Sequence, residues 1–400
     1  GTTSSAASDV YKRQEPGQVH AAFQYDADFA NSGIQVAPLA MPLSDRIYRF
    51  SELAYESFYG LPGLLSDSIP DKFGNRLIDA WLAQQGREPD SFNAIERLRY
   101  VGTRGMGALE FSPLLRETPR ARVARPLNVD HLVELASAVL TSRANLHASF
   151  ADDQREGALT DILRVGTSAG GARAKAIMAW NPTSNEVRSG QVAADKGFEH
   201  WLLKFDGVSG NKDRELEDPR GYGLIEYAYF HMARDCGIEI SDCRILTEHG
   251  RHHFMTRRFD RTAAGGKLHM QSLGALAHYD FNATPGSYSY EQALLAIRKL
   301  GLPMAAIEQQ FRRMVFNLVG RNQDDHVKNI AFLMDQAGRW SLAPAYDMTY
   351  AYNPQGKWTG SHQMSVNGKQ DDFTLADLEA CASTVSLQRG RTKQILDEVC

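Results

Sequence analysis

Asp324 and Asn329 stand five residues apart, and Asp347 follows after two short apolar runs, residues 329–334 and 340–342. The connector, Asp335-Gln336-Ala337-Gly338-Arg339, is rich in turn formers, so the spacing predicts two strands closed into a hairpin. A hairpin returns the chain to its starting end, which would bring three oxygen-donor side chains to one end of a small ribbon. An Asp that orients a hydroxyl, with an Asn and a second Asp to hold magnesium on a nucleotide, is the minimal set for phosphoryl transfer. Protein kinases write it as Asp-x-x-x-x-Asn followed by an Asp on a later strand.

Composition narrows the surroundings of that motif. Four hundred residues suggest two or three domains and can bury a large core without disulfide or metal staples. A net charge of −4 argues against the basic face that direct nucleic-acid binding needs. Cys236, Cys243, Cys381 and Cys400 show no metal-type pairing, and Cys236 with Cys243 are too far apart for a redox pair, which fits reduced thiols in the cytoplasm. No apolar run approaches a membrane span, so no membrane partner is expected. Residues 1–16 are small and polar and read as a disordered or artefactual tail. Residues 387–400 read as helix without a stop signal, as a truncated C-terminus would.

The rest divides by pattern. Residues 17–115 form a first subdomain, in which residues 20–25 and 47–50 read as short strands. Phe73, Leu77, Ile78, Trp81 and Leu82 mark one face of a helix after Pro70-Asp71. Residues 116–155 are a connector, rich in Pro and Arg, followed by an amphipathic helix carrying Leu132, Leu135, Ala136, Val139 and Leu140. Residues 156–261 mix strands with one helix, and residues 262–400 are mainly helical, with Ile307, Phe311, Met314, Val315 and Leu318 at helical spacing.

Four pieces in the middle of the chain could serve a nucleotide. Gly170, Gly171, Ala172, Arg173, Ala174 and Lys175 follow Ser168 and precede a strand-like run; the glycines could let backbone N–H groups cradle phosphates, or could simply make a turn. Lys204 alternates with apolar neighbours at the end of another strand, so it either meets a charged partner or snorkels to water. Glu226 lies beside an apolar stripe of Ile225, Ala228, Tyr229, Met232 and Cys236. It is either solvated or the helix partner of the strand lysine that positions ATP phosphates in kinases. Backbone groups of Arg257 to Phe259 could meet an adenine edge, or could belong to a plain strand with a salt-bridged exit. His252 and His253 point to opposite faces of a strand and do not form a metal set.

Taken together these pieces resemble the HipA family, the kinase toxins of bacterial toxin–antitoxin operons. The marks are residues 60–71 (Gly-Leu-Pro-Gly-Leu-Leu-Ser-Asp-Ser-Ile-Pro-Asp), the 168–175 loop, Arg258-Phe259-Asp260-Arg261, the 324–329 segment and Ala345-Tyr346-Asp347. The resemblance implies an α+β fold: a two-lobed protein-kinase-like core, small mixed lobe and larger helical lobe, with an N-terminal α/β subdomain. It implies ATP and Mg2+ as cofactors, Asp324 as catalytic base, and Asn329 and Asp347 as metal ligands. Lys204 would bind phosphate, residues 170–175 would form the nucleotide loop, and His326, Lys328 and Tyr346 would line the nucleotide. Ser168 matches the loop serine that such kinases phosphorylate in themselves, and a phosphate there would repel a loop meant to hold ATP. The family further implies a helix-turn-helix, HipB-like antitoxin, operator DNA contacted mainly through it, and a protein substrate, such as an aminoacyl-tRNA synthetase. The chain departs from the best-known pattern at Arg173-Ala174, where Gln-Glu is usual, and at Arg257, where an acidic residue is common; neither touches the transferring phosphate in this reading. A catalytically silent scaffold that binds a DNA-bound antitoxin, and a small-molecule kinase, are the rival readings of the same residues.

Overall fold

The computed structural model describes residues 20–114, 129–141, 173–190, 197–208, 212–213, 216–217, 220–262 and 265–400. Two compact units emerge: one comprises Ser68–Lys267 with Pro344–Gly360, the other the chain up to Asp67, Leu268–Ala343 and Ser361–Cys400. The fold is mixed α+β, with antiparallel sheets in both units.

The first unit is built on a five-stranded antiparallel sheet of β1 (Lys175–Trp180), β2 (Val187–Ser189), β3 (Glu199–Lys204), β4 (Cys243–Glu248) and β5 (Arg251–Arg257), in the order β2-β1-β3-β5-β4. One face carries Ala176, Met178, Trp201, Leu203 and Met255, and packs with helices α1 (Lys72–Gln84), α2 (Ala94–Val101) and α3 (Val129–Thr141) into a single apolar core. Helix α1 starts where the sequence says it should: Asp71 accepts from Gly74 N at 2.6 Å, an N-cap, and Phe73, Leu77, Ile78, Trp81 and Leu82 are all buried. In α3, Leu132, Leu135 and Ala136 are buried. The opposite sheet face, with Cys243 and Phe254, packs on Phe230 of α4 (Tyr222–Asp235).

Two sequence expectations give way here. Residues 20–25 and 47–50, which belong to the other unit, make one isolated bridge, Phe23 to Tyr48, instead of strands. Ala21 N donates instead to Gly60 O, and a one-turn helix, Ala27–Ala30, follows the first segment, so the ladder ends with that pair. Helix α4 is also rotated from the predicted stripe: Tyr222, Glu226, Phe230 and Ala233 are buried, whereas Ile225, Ala228 and Met232 are exposed. A pattern count places the apolar residues inside; a carboxylate with a buried cationic partner turns the helix the other way.

The exit of β5 is tied down by ion pairs. Asp260, fully buried, accepts from Arg258 Nε and Nη2 at 2.9 and 2.6 Å, from Arg261 Nη1 at 2.9 Å and from Gly107 N at 2.7 Å. Both arginines also donate to Gly105 O, so one carboxylate fastens the 105–107 loop beneath the sheet. Burial alone would raise the Asp260 pKa, but the Arg258 charge and hydrogen bonds overcome it and hold the carboxyl below its ordinary range.

The second unit holds a three-stranded sheet, β6 (His269–Ser272), β7 (Ala331–Met334) and β8 (Trp340–Leu342), in the order β8-β7-β6. The predicted hairpin is present, with Phe332 opposite Leu342 and Met334 opposite Trp340. Its turn is closed by Asp335, whose carboxylate accepts from Ala337 N and Arg339 N, and by Gly338 at φ 79°, where only glycine is unstrained. Helices α5 (Tyr290–Lys299), α6 (Met304–Val319), α7 (Leu375–Thr384) and α8 (Arg391–Val399) bury Ile297, Ile307, Phe311, Met314, Val315 and Ile395 in its core. Among the described residues, no helix is long and apolar enough to cross a membrane.

Removing one partner of a buried ion pair leaves an uncompensated charge. Asp260→Ala, which strands two arginines, should lower the unfolding free energy by about 3–5 kcal/mol in equilibrium denaturation followed by circular dichroism. A loss below about 1 kcal/mol would mean that water reaches both guanidinium groups and that the clamp is an ordinary surface pair.

Candidate active site

In the first unit the site begins with Lys204, the last residue of β3. Its ammonium donates to Glu226 Oε1 at 2.6 Å and to Asp347 Oδ1. The lysine and Glu226 side chains are 11% and 3% exposed, and that of Asp347 is 37% exposed, so Asp347 is the member a ligand can reach. Burial would lower the Lys204 pKa, but the facing Asp347 and Glu226 carboxylates outweigh it and hold the ammonium charged. Burial raises Glu226 above the ordinary carboxylate range. It would raise Asp347 too, but Lys204 and Lys175 overcome it and keep that carboxylate ionised.

Each side chain is placed by a rigid element. Glu226 is fixed by the packing of α4. Asp347 is fixed by its chain: Ala345 N donates to Glu239 O at 2.8 Å and Ser241 N donates to Ala345 O at 3.2 Å, a parallel bridge beside β4. Asp347 itself adopts φ 57°, a left-handed conformation that costs a non-glycine residue about 1 kcal/mol or more. Tyr346, just before it, packs on Phe259, ring centroids 5.5 Å apart.

The described part of the glycine-rich segment is anchored to the same sheet. Arg173 stacks on the Tyr222 ring at 3.7 Å, and Tyr222 in turn donates to Tyr350 O at 2.6 Å. Ala174 O accepts from Phe205 N. Lys175 opens β1 and sets its ammonium 3.3 Å from Asp71 Oδ2, both side chains 3% exposed. Sequence reading marks Asp71 as a helix start and misses it as the partner of Lys175; no spacing signal links positions so far apart. Ser168, Gly170, Gly171 and Ala172 lie outside the described residues. At the end of β5, Arg257 N donates to Asp242 O at 2.7 Å and Ser241 Oγ donates to Arg257 O, so both backbone groups of Arg257 are engaged within the protein.

In the second unit, the 324–329 loop is closed by its own asparagine. Asn329 Nδ2 donates to Asp324 O at 2.8 Å, His326 N to Asp324 O at 3.0 Å and Asn329 N to His326 O at 2.9 Å. That bond explains the five-residue spacing: the amide nitrogen holds the loop, and the amide oxygen is the atom a cation would take. His326 Nε2 lies 4.0 Å from Asp324 Oδ1, and Lys328 Nζ sits 4.0 Å over the Phe281 ring. Sequence reading also misses Asp325. This buried carboxylate accepts from Gln363 N at 2.8 Å, Tyr290 OH at 2.7 Å and His362 Nδ1 at 2.8 Å.

Asp347 in the first unit carries the exposed carboxylate of its cluster, and Asn329 in the second an amide oxygen; each taken by itself is a hard oxygen donor of the kind Mg2+ selects. Elsewhere, His249, Asp130 and Glu248 come close enough to share a cation, but Arg251 Nε, 3.5 Å from Asp130 Oδ1, already supplies positive charge there.

The fold is mixed α+β, and each unit carries one cluster of charged or amide side chains. Residues 167–400 match the HipA-like C-terminal domain and residues 11–112 the HipA N-terminal domain, and the chain belongs to the HipA family. Its structure resembles that of Shewanella oneidensis HipA, solved with HipB and operator DNA as a toxin–antitoxin system, with a TM-score of 0.65 over 95% of this chain and 83% of that one. Sequence identity there is 18%, so the likeness is one of fold. A Haemophilus influenzae protein with a provisional kinase name is 25% identical over 159 residues, 36% of this chain. That match spans 46% of the relative's length, under half of it.

The Asp71–Lys175 pair carries a pH signature. Burial, outweighing Lys175 and the Gly74 N–H, pushes the Asp71 carboxyl up to about 6. The folded chain therefore holds this proton to higher pH than the unfolded chain does. The stability contribution of Asp71 should fall as pH rises from about 4 to about 6 and stay level above. Denaturation of wild type and Asp71→Asn across that range checks it: the wild type should lose stability relative to the variant. A relative gain with rising pH would show that the lysine, not burial, governs the group.

Proposed function

We propose that this chain is an ATP- and magnesium-dependent serine/threonine protein kinase, the toxin of a toxin–antitoxin pair acting in the bacterial cytoplasm. The observation that carries the reading is Lys204 held between Glu226 and Asp347. A strand lysine bridged to a helix glutamate is the pair that fixes nucleotide phosphates in protein kinases, and here the acid on the lysine's other side is the one the hairpin motif nominates for metal.

Roles follow from the chemistry of each group. Lys204 binds phosphate oxygens and Glu226 holds it in place. Arg173, Lys175 and the 170–172 backbone serve the nucleotide, with Phe259 and Tyr346 toward the base, and His326 and Lys328 beside it. Asp347 and Asn329 are the residues that would hold magnesium, which when bound would supply charge neutralisation for the γ-phosphate. Asp324 orients the substrate hydroxyl and takes its proton as the oxygen bonds to the γ-phosphorus and the bond to ADP breaks. Ser168 is the autophosphorylation site, where nearly two added negative charges would oppose ATP binding.

HipB and operator DNA accompany the Shewanella HipA structure. By that analogy a helix-turn-helix antitoxin is the partner of this chain, and a net charge of −4 suits DNA contact made through the antitoxin. The substrate is a protein with an accessible serine or threonine, and the family makes an aminoacyl-tRNA synthetase a reasonable first target to test.

With labelled ATP and magnesium, the wild type should label itself at Ser168, and Asp324→Ala should reduce labelling by about 10²–10⁴-fold, the usual worth of a positioned general base. Chelation of magnesium should abolish it, and induced expression should arrest growth in wild type but not in Asp324→Ala. Nucleotide binding without any transfer, and growth arrest indifferent to Asp324, would favour the silent scaffold.

A further inference from the structure

We infer that Gln363 is a positioning residue for the Asp324 carboxylate, held in place by a buried hydrogen-bond relay through Asp325; the inference rests on the kinase reading above and names a part of that machinery the motif does not contain. Gln363 Nε2 donates to Asp324 Oδ1. The glutamine is buried, and its backbone is fixed at both ends: its N–H donates to Asp325 Oδ1 at 2.8 Å and its C=O accepts from Gly286 N at 2.8 Å.

The two adjacent carboxylates are thereby given different jobs. Asp325 accepts three donors, from Gln363 N, Tyr290 OH and His362 Nδ1, and Tyr290 OH accepts in turn from Asn317 Nδ2 at 3.0 Å. Tyr290 opens α5 and Asn317 lies near the end of α6, so the relay is anchored in two helices of the unit's core. Asp325 is buried and held by three donors, so its work is to hold the loop. On Asp324 the Gln363 donor meets Oδ1, which restrains the plane of the carboxylate and so the direction in which it meets a substrate hydroxyl. A freely rotating carboxylate would meet it only part of the time, and misplacement by about 1 Å can lower a rate about 10²-fold.

Two near-isosteric variants test this. Gln363→Met keeps length, bulk and both backbone bonds while deleting the donor, and Gln363→Glu keeps the shape while replacing donor by acceptor. Both should lower kcat by about 10–100-fold with the KM for ATP changed less than about twofold and the melting temperature unchanged. Combining Gln363→Met with Asp324→Asn should cost no more than Asp324→Asn alone, because the glutamine acts through that aspartate. Wild-type turnover in either variant overturns the inference, as does a double variant in which the two losses multiply. A fall in kcat that tracks a lowered melting temperature in both variants overturns it too, since packing alone would then explain the loss. Where Asp324→Asn abolishes transfer and Gln363→Met does not, only this inference fails; where Asp324→Asn is fully active, the kinase base assignment fails and this inference with it.

Discussion

A lysine cannot be taken out of water without anionic company, and most of what is distinctive in the first unit follows from how Lys204 obtains it. Helix α4 is turned so that Glu226 faces inward, leaving Ile225 and Met232 in solvent. The 344–347 segment is pinned beside β4, and Asp347 accepts a left-handed backbone to reach the same ammonium. Each is a local cost. Exposed apolar side chains forgo burial worth about 1.5–3 kcal/mol apiece, and a positive φ at a non-glycine adds strain. A stability optimum would replace such a cluster with packed apolar residues, which is often neutral or favourable. A fold that gathers these side chains, turning a helix and straining a loop residue to do so, is organised around what they do.

The 324–329 loop shows the same economy with smaller groups. Asn329 closes the loop on the Asp324 carbonyl with its amide nitrogen, which leaves the amide oxygen for a cation. One side chain thus sets the loop's shape and contributes a donor, which a carboxylate at that position could not do because it has no N–H to give. Beneath the loop, Asp325 carries no exposed work and gathers donors instead.

What the sequence makes legible is whatever leaves a local trace. The 331–342 hairpin, the buried face of α1 and the 304–319 helix all repeat at strand or helix period, and each stands where periodicity puts it. Lys204 and Glu226 are legible through chemistry, since a lysine on a half-buried strand calls for an acid nearby. The face of α4 is not, because counting apolar residues assumes that they decide which side goes in. The strands expected at 20–25 and 47–50 shrink to a single bridge for a related reason: apolar content marks burial there, but the turns around it set the pairing length. The Asp71–Lys175 pair and the Gln363–Asp324 contact leave no trace at all, because residues so far apart in sequence share neither period nor spacing.

The buried knots at Asp260 and at Lys204 are of similar make-up, and comparing them shows what separates a clamp from a site. Asp260 meets Arg258 and Arg261, whose planar guanidinium groups commit several donors at once to the carboxylate and to the carbonyls of Gly105 and Gly107. The carboxylate is wholly enclosed, so nothing can exchange with it. Lys204 is instead a compact ammonium on a flexible stem, able to trade one oxygen partner for another without rebuilding its surroundings. One of its two carboxylates is enclosed and the other is more than a third exposed. Glu226 then acts as the fixed partner and Asp347 as the one that can be shared with a cation or displaced by a phosphate oxygen. The choice of lysine over arginine and the accessibility of a single acid are what make this knot able to turn over, and the absence of both confines the Asp260 knot to holding a loop.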